Sequence, residues 1–177
     1  MKTFLTLVLI SITSLSFAQG LVEEYDQSCN CTHYTNHYDN GDVSATYTTN
    51  ASGQKNGTEK AFYVDGNLQY ERVWSKGNLN GSGKHYFRNG QLYYTEYHEN
   101  GIKKGDWTFN DEEGDIKQKI KYTGNGNDGT YEYYHAGIHY FSQIVVNDSL
   151  QSETVLNQEI YDQLKSEAEA AQAAGKQ

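Results

Sequence analysis

Thiol and imidazole side chains lie close together in one short segment near the amino terminus, which contains Cys29, Cys31, His33 and His37. Thiolates and imidazoles are ligands that suit zinc and copper. Against a metal site, the Cys-x-Cys spacing lacks the usual two-residue spacer, and exported thiols usually oxidise. A disulfide would close a very small ring, so intermolecular pairing, incidental thiols and a metal site stay open beside it. We expect an oxidised pair, with no metal and no cofactor.

The other residue types that could do chemistry favour structural roles. A hydrolytic triad needs a serine on a sharp turn and a buried acid partner, and the sequence has no such motif. Residues 124–129 resemble a single copy of a calcium-binding glycine-aspartate repeat, but such sites need stacked copies, so a turn is favoured. Four histidines take places that aromatic residues fill elsewhere: His85, His98, His135 and His139. The sequence therefore predicts a protein that is not an enzyme.

The elements that would position these residues are set by a glycine repeat with a period of 24 residues. One series is Gly57, Gly81, Gly105 and Gly129, and a second series in step with it is Gly66, Gly90 and Gly114. A shared period of this length indicates a repeat array, in which we expect these seven glycines to form structural turns. Such arrays present an extended surface rather than a closed catalytic pocket.

Each repeat unit has the pattern of a β-hairpin. The units are residues 33–57, 58–81, 82–105, 106–129 and an incomplete 130–148. Asp65-Gly66 and Asn89-Gly90 separate aromatic-rich runs, and such pairs favour a two-residue turn with positive φ at both positions. A longer turn is expected to lead to the next unit. Because apolar and polar residues alternate after each of these glycines, we predict a mainly β fold: an elongated antiparallel meander of stacked hairpins with one C-terminal helix.

The same pattern resembles the variant MORN repeat, which has an aromatic pair, a polar-Gly turn and a hydrophobic residue two positions past the glycine. The matching segments begin at Phe62-Tyr63, Tyr86-Phe87 and Trp107-Thr108-Phe109, and the resemblance covers roughly residues 33–148. It departs from the pattern at Asn110, where an aromatic residue is usual. The resemblance implies hairpins in an extended sheet and a role in protein–protein or surface association. It implies no catalytic residues.

The two ends of the chain differ from the array. Residues 1–18 have the basic start, uncharged run and small residues of a cleaved signal peptide, and residues 19–32 form a separate segment with the Cys-x-Cys motif. Residues 149–177 are predicted to form a C-terminal helix and tail. An apolar stripe at four-residue spacing would pack this helix over the last hairpin and cover its edge strand. Asp148 or Ser152 is the expected N-cap.

Charge and aromatic content point to a class of partner. A net charge of −9 and the lack of a Lys/Arg cluster disfavour nucleic acid and anionic lipid surfaces. We expect an exported protein, periplasmic or secreted, that has no transmembrane span once mature and binds an unknown protein or cell-surface component. The candidate binding residues are Tyr63, Tyr93, Tyr97, Tyr131 and Tyr133. The alternative is a glycan or cell-wall binder that stacks sugars on its tyrosines.

Overall fold

The computed structural model describes residues 20–175, which form one continuous antiparallel sheet and one helix. The predicted signal peptide lies outside the described residues. The predicted fold class, a mainly β antiparallel meander with one C-terminal helix, is confirmed. The elements are β1 (Leu21–Asp26), β2 (Cys31–His37), β3 (Val43–Thr49), β4 (Gly57–Phe62), β5 (Leu68–Ser75), β6 (Asn78–Leu79), β7 (Gly81–Tyr86), β8 (Leu92–Glu99), β9 (Ile102–Lys103), β10 (Gly105–Asn110), β11 (Ile116–Tyr122), β12 (Gly129–His135), β13 (Ile138–Val146), β14 (Ser149–Val155) and α1 (Gln158–Ala174).

The hairpin is the structural unit, because neighbouring hairpins join over a shorter ladder than the one inside each hairpin. The strand order is β1-β2-β3-β4-β5-β7-β8-β10-β11-β12-β13-β14, with β6 beside β5 and β9 beside β8. Strands β5 and β7 pair only at Tyr70 with His85 and at Glu71 with Lys84. Side chains also link adjacent units: the Tyr63 hydroxyl donates to the Tyr86 carbonyl at 2.8 Å. Such links hold the repeated hairpins in one register.

The Asp-Gly and Asn-Gly turns are longer than the sequence predicts. In the first of them, the Tyr63 amide donates to the Asn67 carbonyl and the Gly66 amide donates to the Tyr63 carbonyl. Gly66 has φ +85°, whereas Asp65 is not among the residues with positive φ. This geometry places a single left-handed glycine next to a bulge, at which Gln69 is the extra residue on β5. The predicted turn with positive φ at both positions was therefore wrong here.

The two-residue turn with positive φ occurs instead at the second glycine of the units 58–81 and 82–105. Lys76 and Gly77 have φ of 49° and 84°, and Asn100 and Gly101 have φ of 50° and 84°. Each pair directly joins a long strand to a two-residue strand. Both central φ values are positive because this backbone twist matches the right-handed twist of the flanking strands.

Both predicted terminal segments are partly strand. Strand β1 pairs with β2 along its whole length, so the amino-terminal Cys-x-Cys segment is part of the sheet. At the other end, residues 149–155 form β14 rather than the start of a helix, because Asn147 and Asp148 make a two-residue turn with φ of 53° and 54°. The sheet therefore extends beyond the predicted array at both ends.

Helix α1 is shorter than predicted and does not cover the edge of the sheet. Its N-cap is Asn157, whose side chain accepts from the Ile160 amide at 3.1 Å, so the expected caps at residues 148 and 152 were wrong. The helix lies against β13, where the Tyr161 ring packs on the Phe141 ring with 5.2 Å between the ring centroids. Strand β14 is exposed along its whole length, so the edge strand remains open.

Candidate functional site

One face of the single-layer sheet carries most of its rings. We call it the aromatic face, and strand pairing defines its members: Tyr34, Tyr47, Tyr70, Trp74, His85, Tyr94, Trp107, Phe109, Tyr122, Tyr131, Tyr133 and Phe141. Its best-buried part is a cluster of Trp107, Ile120 and Tyr122, with three partly buried aromatic rings packed against it. Because the described sheet has one layer, these residues are buried by their neighbours on the same face.

A buried glutamate lies among these rings. Glu59 is 4% exposed and accepts hydrogen bonds from Lys55, from Arg72 Nε at 2.8 Å and from Trp74 Nε1 at 2.7 Å. The two cations also lie over aromatic rings: Lys55 Nζ is 4.7 Å from the Tyr47 ring centroid. The donors and rings together hold this carboxylate in one position.

A second buried glutamate lies on the neighbouring hairpin. Glu96 is 7% exposed, with His85 Nε2 at 3.3 Å from Oε1 and His98 Nδ1 at 3.9 Å from Oε2. Gly83 lies directly across the ladder from it, and a Cβ there would come within 2.6 Å of Glu96 Oε1. The glycine therefore leaves the space that the carboxylate fills. We call Lys55, Glu59, Arg72, His85, Glu96 and His98 the charged cluster.

These two glutamates take ladder positions that uncharged residues occupy in the other hairpins. The pair Glu59–Arg72 corresponds, one unit later, to Gly83–Glu96. The equivalent pairs elsewhere in the array are Tyr34–Tyr47, Trp107–Ile120 and Tyr131–Gln143. The charged cluster thus replaces apolar and aromatic packing in two consecutive hairpins.

Both buried glutamates are ionised at neutral pH. Burial alone would raise the pKa of Glu59, but the hydrogen bonds from Lys55, Arg72 and Trp74 outweigh burial and lower it. Burial would likewise raise the pKa of Glu96, and the hydrogen bond from His85 with the nearby positive charges lowers it. Burial lowers the pKa of His98, although Glu96 acts in the opposite direction. The result is a charged but internally paired patch within an aromatic surface.

The five tyrosines proposed from the sequence do not share one surface. Tyr131 and Tyr133 lie on the aromatic face. Tyr97 pairs with a residue of β7 on the opposite, polar face. Tyr93 is the extra residue of a bulge, and its ring packs edge-on against that of the aromatic-face residue Tyr94, with ring centroids 5.0 Å apart, whereas Tyr63 lies in a turn. Three of the five therefore belong to the aromatic face or border it, and the other two do not.

The polar face carries charged and hydroxyl side chains, and shallow grooves lie along it. One groove, about 340 Å³, runs over β7, β8 and the start of β10. Another, about 330 Å³, lies over β10, β11 and β12, and its polar lining consists of Asp106, Thr108, Lys119, Lys121, Thr130 and Glu132. Both grooves are open and bring together side chains of both signs.

The Cys-x-Cys segment forms the β1–β2 turn, in which Cys29 and Cys31 are joined by a disulfide. His33 Nε2 lies 3.8 Å from Cys31 Sγ and 3.8 Å from Asp26 Oδ2. His37 pairs at the far end of β2, and its Nδ1 contacts the Gly20 carbonyl oxygen at 2.8 Å. The sequence-based cluster therefore loses His37 and gains Asp26.

Residues 124–128 form a turn, as expected, and Gly129 begins β12. The Asp128 amide donates to the Asn125 carbonyl, and the Asp128 carboxylate accepts from the Asp148 amide at 2.9 Å. That contact ties the turn to the β13–β14 turn and lowers the pKa of Asp128 through hydrogen bonds from the backbone of Asp148 and Asn147. The carboxylate is thus used to join two loops.

Sequence reasoning assigned no role to Glu59, Arg72 and Glu96. They are separated along the chain and meet only through strand pairing. A signal was present, however, because the alignment of the repeat units puts charged residues where other units have apolar or aromatic ones. When two consecutive repeat units depart from the pattern at equivalent positions, apolar packing has been replaced there by residues with another role.

Comparison with known proteins leaves the family open. No family model and no curated protein matches the chain. A solved structure of accessory secretory protein 1, 2 and 3 from Streptococcus pneumoniae is similar at 15% identity and a TM-score of 0.31, over 68% of this chain and 20% of that one. The chain thus spans a fifth of that protein's length, and so low a score carries no argument. The MORN resemblance stays a prediction.

Among residues 20–175, no helix has both the length and the apolar character that a bilayer crossing requires.

Proposed function

We propose that this protein is an exported, non-enzymatic interaction module that binds a protein or a cell-surface component through its aromatic face. The observation that carries the proposal is a long, single-layer face with half-buried Tyr and Trp rings around buried, paired charges. Tyrosine, tryptophan and arginine are the residues that most often dominate binding energy at protein interfaces. An extended repeat sheet presents many of them in a fixed geometry.

The state of the charged cluster favours binding over catalysis. A general acid needs a raised carboxyl pKa, and both buried glutamates have lowered ones. The Glu59 oxygens are already engaged by three donors. Charges held in this way can orient a partner without any proton transfer.

The sequence features of the two ends and of the repeat support the same proposal. The variant MORN pattern implies association with proteins or surfaces, and the amino-terminal segment has the features of an export signal. Amino-terminal sequencing of protein purified from its native host tests the export step. A mature chain that begins after Ala18 supports export, and one that retains the first residues contradicts it.

A protein partner is favoured over a glycan because the rings cover one another. Sugar stacking needs flat ring faces that are free and lie in file. Here the Tyr34 and Tyr47 rings stack at 4.7 Å, and the His85 and Tyr94 rings stack at 4.0 Å. Ring faces engaged in such pairs are less accessible to a sugar, whereas their edges and hydroxyl groups remain available to a protein.

The test is affinity capture from envelope and culture extract with variants matched by face. Three baits are used, each spanning residues 19–177. The first is the wild type, the second carries Tyr70→Ala and Tyr133→Ala on the aromatic face, and the third carries Tyr97→Ala on the polar face. Circular dichroism first shows that the variants keep the sheet. Mass spectrometry and sugar analysis then identify what each bait retains.

The outcomes separate the candidates. One protein that is retained in stoichiometric amount, lost with the aromatic-face variant and kept with Tyr97→Ala supports the proposal. Retained polysaccharide without protein supports the glycan alternative. Loss with Tyr97→Ala alone moves the binding surface to the polar face and overturns the assignment.

A further inference from the structure

We propose that the β1–β2 turn is a redox-controlled zinc site: reduction of its disulfide frees Cys29 and Cys31 to bind zinc together with His33 and Asp26. The described structure holds the oxidised, closed form of this site. The inference is independent of the proposed binding function, because it concerns the end of the sheet rather than the aromatic face.

This disulfide contributes little to the stability of the fold. It joins residues only two positions apart. A disulfide stabilises mainly by restricting the unfolded chain, and the effect falls with the size of the closed loop. The turn is already held by the β1–β2 ladder, in which Asp26 pairs with Cys31. The two cysteines are therefore better explained by the chemistry of their sulfur atoms.

Three ligand atoms of a kind that binds zinc lie close together at this turn. The ligand atoms of Cys29, Cys31 and His33 all lie within 4.8 Å of one another. In a tetrahedral site with usual zinc–sulfur and zinc–nitrogen bonds, sulfur and nitrogen lie roughly 3.6 Å apart. The observed distance from Cys31 Sγ to His33 Nε2 is 3.8 Å. Asp26 lies outside this group of three, but its Oδ2 is 3.8 Å from the same nitrogen, and it is the carboxylate that we assign to the fourth position.

The contacts around the first ligands orient them for a metal. His33 Nδ1 lies 2.9 Å from Thr48 Oγ1, so a ring protonated at Nδ1 donates to Thr48 and leaves the Nε2 lone pair for the ion. Asp26 Oδ1 accepts from the Ser28 amide at 2.8 Å, which leaves Oδ2 directed toward the histidine. Such outer hydrogen bonds are the usual means of fixing a ligand's orientation.

The redox step is balanced by an external thiol or phosphine reductant. The disulfide accepts two electrons and two protons, the sulfur–sulfur bond breaks, and two thiols form. Zinc binding then releases the thiol protons, since the ligands are thiolates. The sulfur atoms must separate to roughly 3.8 Å, the edge of a tetrahedral site. Cys29 is exposed within the turn and has room to make that movement.

The experiment uses the full chain and cobalt as a spectroscopic substitute for zinc. Cobalt is titrated under anaerobic conditions into protein reduced with a phosphine and into the disulfide form. Thiolate-to-cobalt charge transfer reports sulfur ligation, and zinc is then added as a competitor. We expect one cobalt per reduced chain, displaced by zinc, and no thiolate band from the oxidised chain.

Matched histidine variants assign the ligands. We expect His33→Ala to weaken cobalt binding by more than tenfold, and Asp26→Asn to weaken it less. His37→Ala, on the same strand but outside the cluster, is expected to leave binding unchanged. The proposal is overturned if the reduced chain shows no thiolate band, or if His33→Ala and His37→Ala bind cobalt alike. A Cys29→Ser, Cys31→Ser chain that binds as tightly as the reduced wild type also overturns it.

Discussion

Substitution of Gly83 by alanine tests whether Glu96 of the charged cluster needs the space that glycine leaves at position 83. Gly83 does not have a positive φ, so its backbone accepts alanine without strain. The new Cβ would lie 2.6 Å from Glu96 Oε1 and 2.8 Å from its Cγ, closer than non-bonded atoms approach. The Glu96 side chain is buried and bonded to His85, so it cannot turn away without losing that contact.

The expected cost follows from two opposing effects. Overpacking of a filled site costs about 1–3 kcal/mol, and loss of a hydrogen bond to a charged group costs about 1.5–3 kcal/mol. Replacing glycine in a strand recovers about 0.5–1 kcal/mol of chain entropy. Since relief of the overlap and loss of the hydrogen bond occur in one movement, their costs do not add fully. We expect Gly83→Ala to lower the free energy of unfolding by about 1–3 kcal/mol.

A double-mutant cycle in urea, followed by tryptophan fluorescence, measures this coupling. In a Glu96→Ala background the obstructing carboxylate is gone, so Gly83→Ala should cost little or stabilise the protein. The coupling energy should exceed about 1 kcal/mol. Ser82→Ala, on the adjacent exposed residue, is the control and should stay within about 0.5 kcal/mol of wild type. An equal cost of Gly83→Ala in both backgrounds would refute the argument from packing.

Three other predictions concern the cluster and the carboxyl terminus. Glu59→Gln should lower the free energy of unfolding by about 2 kcal/mol in urea, because three donors lose a carboxylate; Glu71→Gln, whose ladder partner Lys60 lies on the polar face, is the control. The lowered pKa values of Glu59 and Glu96 stabilise the fold above the ordinary carboxyl value of 4.5, and this contribution should disappear as pH falls through the folded values. His98, with a pKa below 6.5, should add to the acid loss because the unfolded chain binds its proton more readily. Replacing both glutamates by glutamine should flatten the plot of urea midpoint against pH, and an unchanged slope contradicts the assignment. Deletion of residues 157–177 should leave the cooperative unfolding of the sheet intact, since no helix side chain is buried; loss of the cooperative transition in urea would show that the helix is required.

The repeat period predicted the architecture because every unit forms its hairpin from the same short-range pattern of glycines and alternating strand residues. Glycine spacing and strand alternation are properties of short segments, so the hairpins could be read without knowledge of their neighbours. Loop geometry could not be read in this way. Asp65-Gly66 carries the stronger two-residue turn signal, yet the two-residue turn is at Lys76-Gly77, because the bulge at Gln69 lengthens the first loop.

The carboxyl-terminal error has a different physical cause. Strand β14 has neither glycine nor aromatic residues, so it lacks the features by which the array is recognised in the sequence. What makes it a strand is the turn at Asn147 and Asp148, both in the left-handed region, followed by pairing along β13. Asparagine and aspartate tolerate this backbone better than most side chains. The turn and the pairing thus define a strand that the glycine and aromatic pattern does not mark.

The candidate site depends on pairs across the ladder, which is why single residues did not reveal it. Within one hairpin Glu59 lies opposite Arg72, and in the next Gly83 lies opposite Glu96. The first pair is matched by charge and the second by volume. In the third hairpin the equivalent pair is Trp107 and Ile120. Glu59 opposite isoleucine would lose its charge partner, and Glu96 opposite tryptophan would lose the space that Gly83 leaves for it. Each substitution is therefore favourable only together with its partner across the ladder. We therefore regard the two hairpins as one unit, set apart from the apolar packing that follows it along the sheet. In the proposed function, a partner that contacts the charged cluster would bind at this junction, beside the apolar cluster of Trp107, Ile120 and Tyr122.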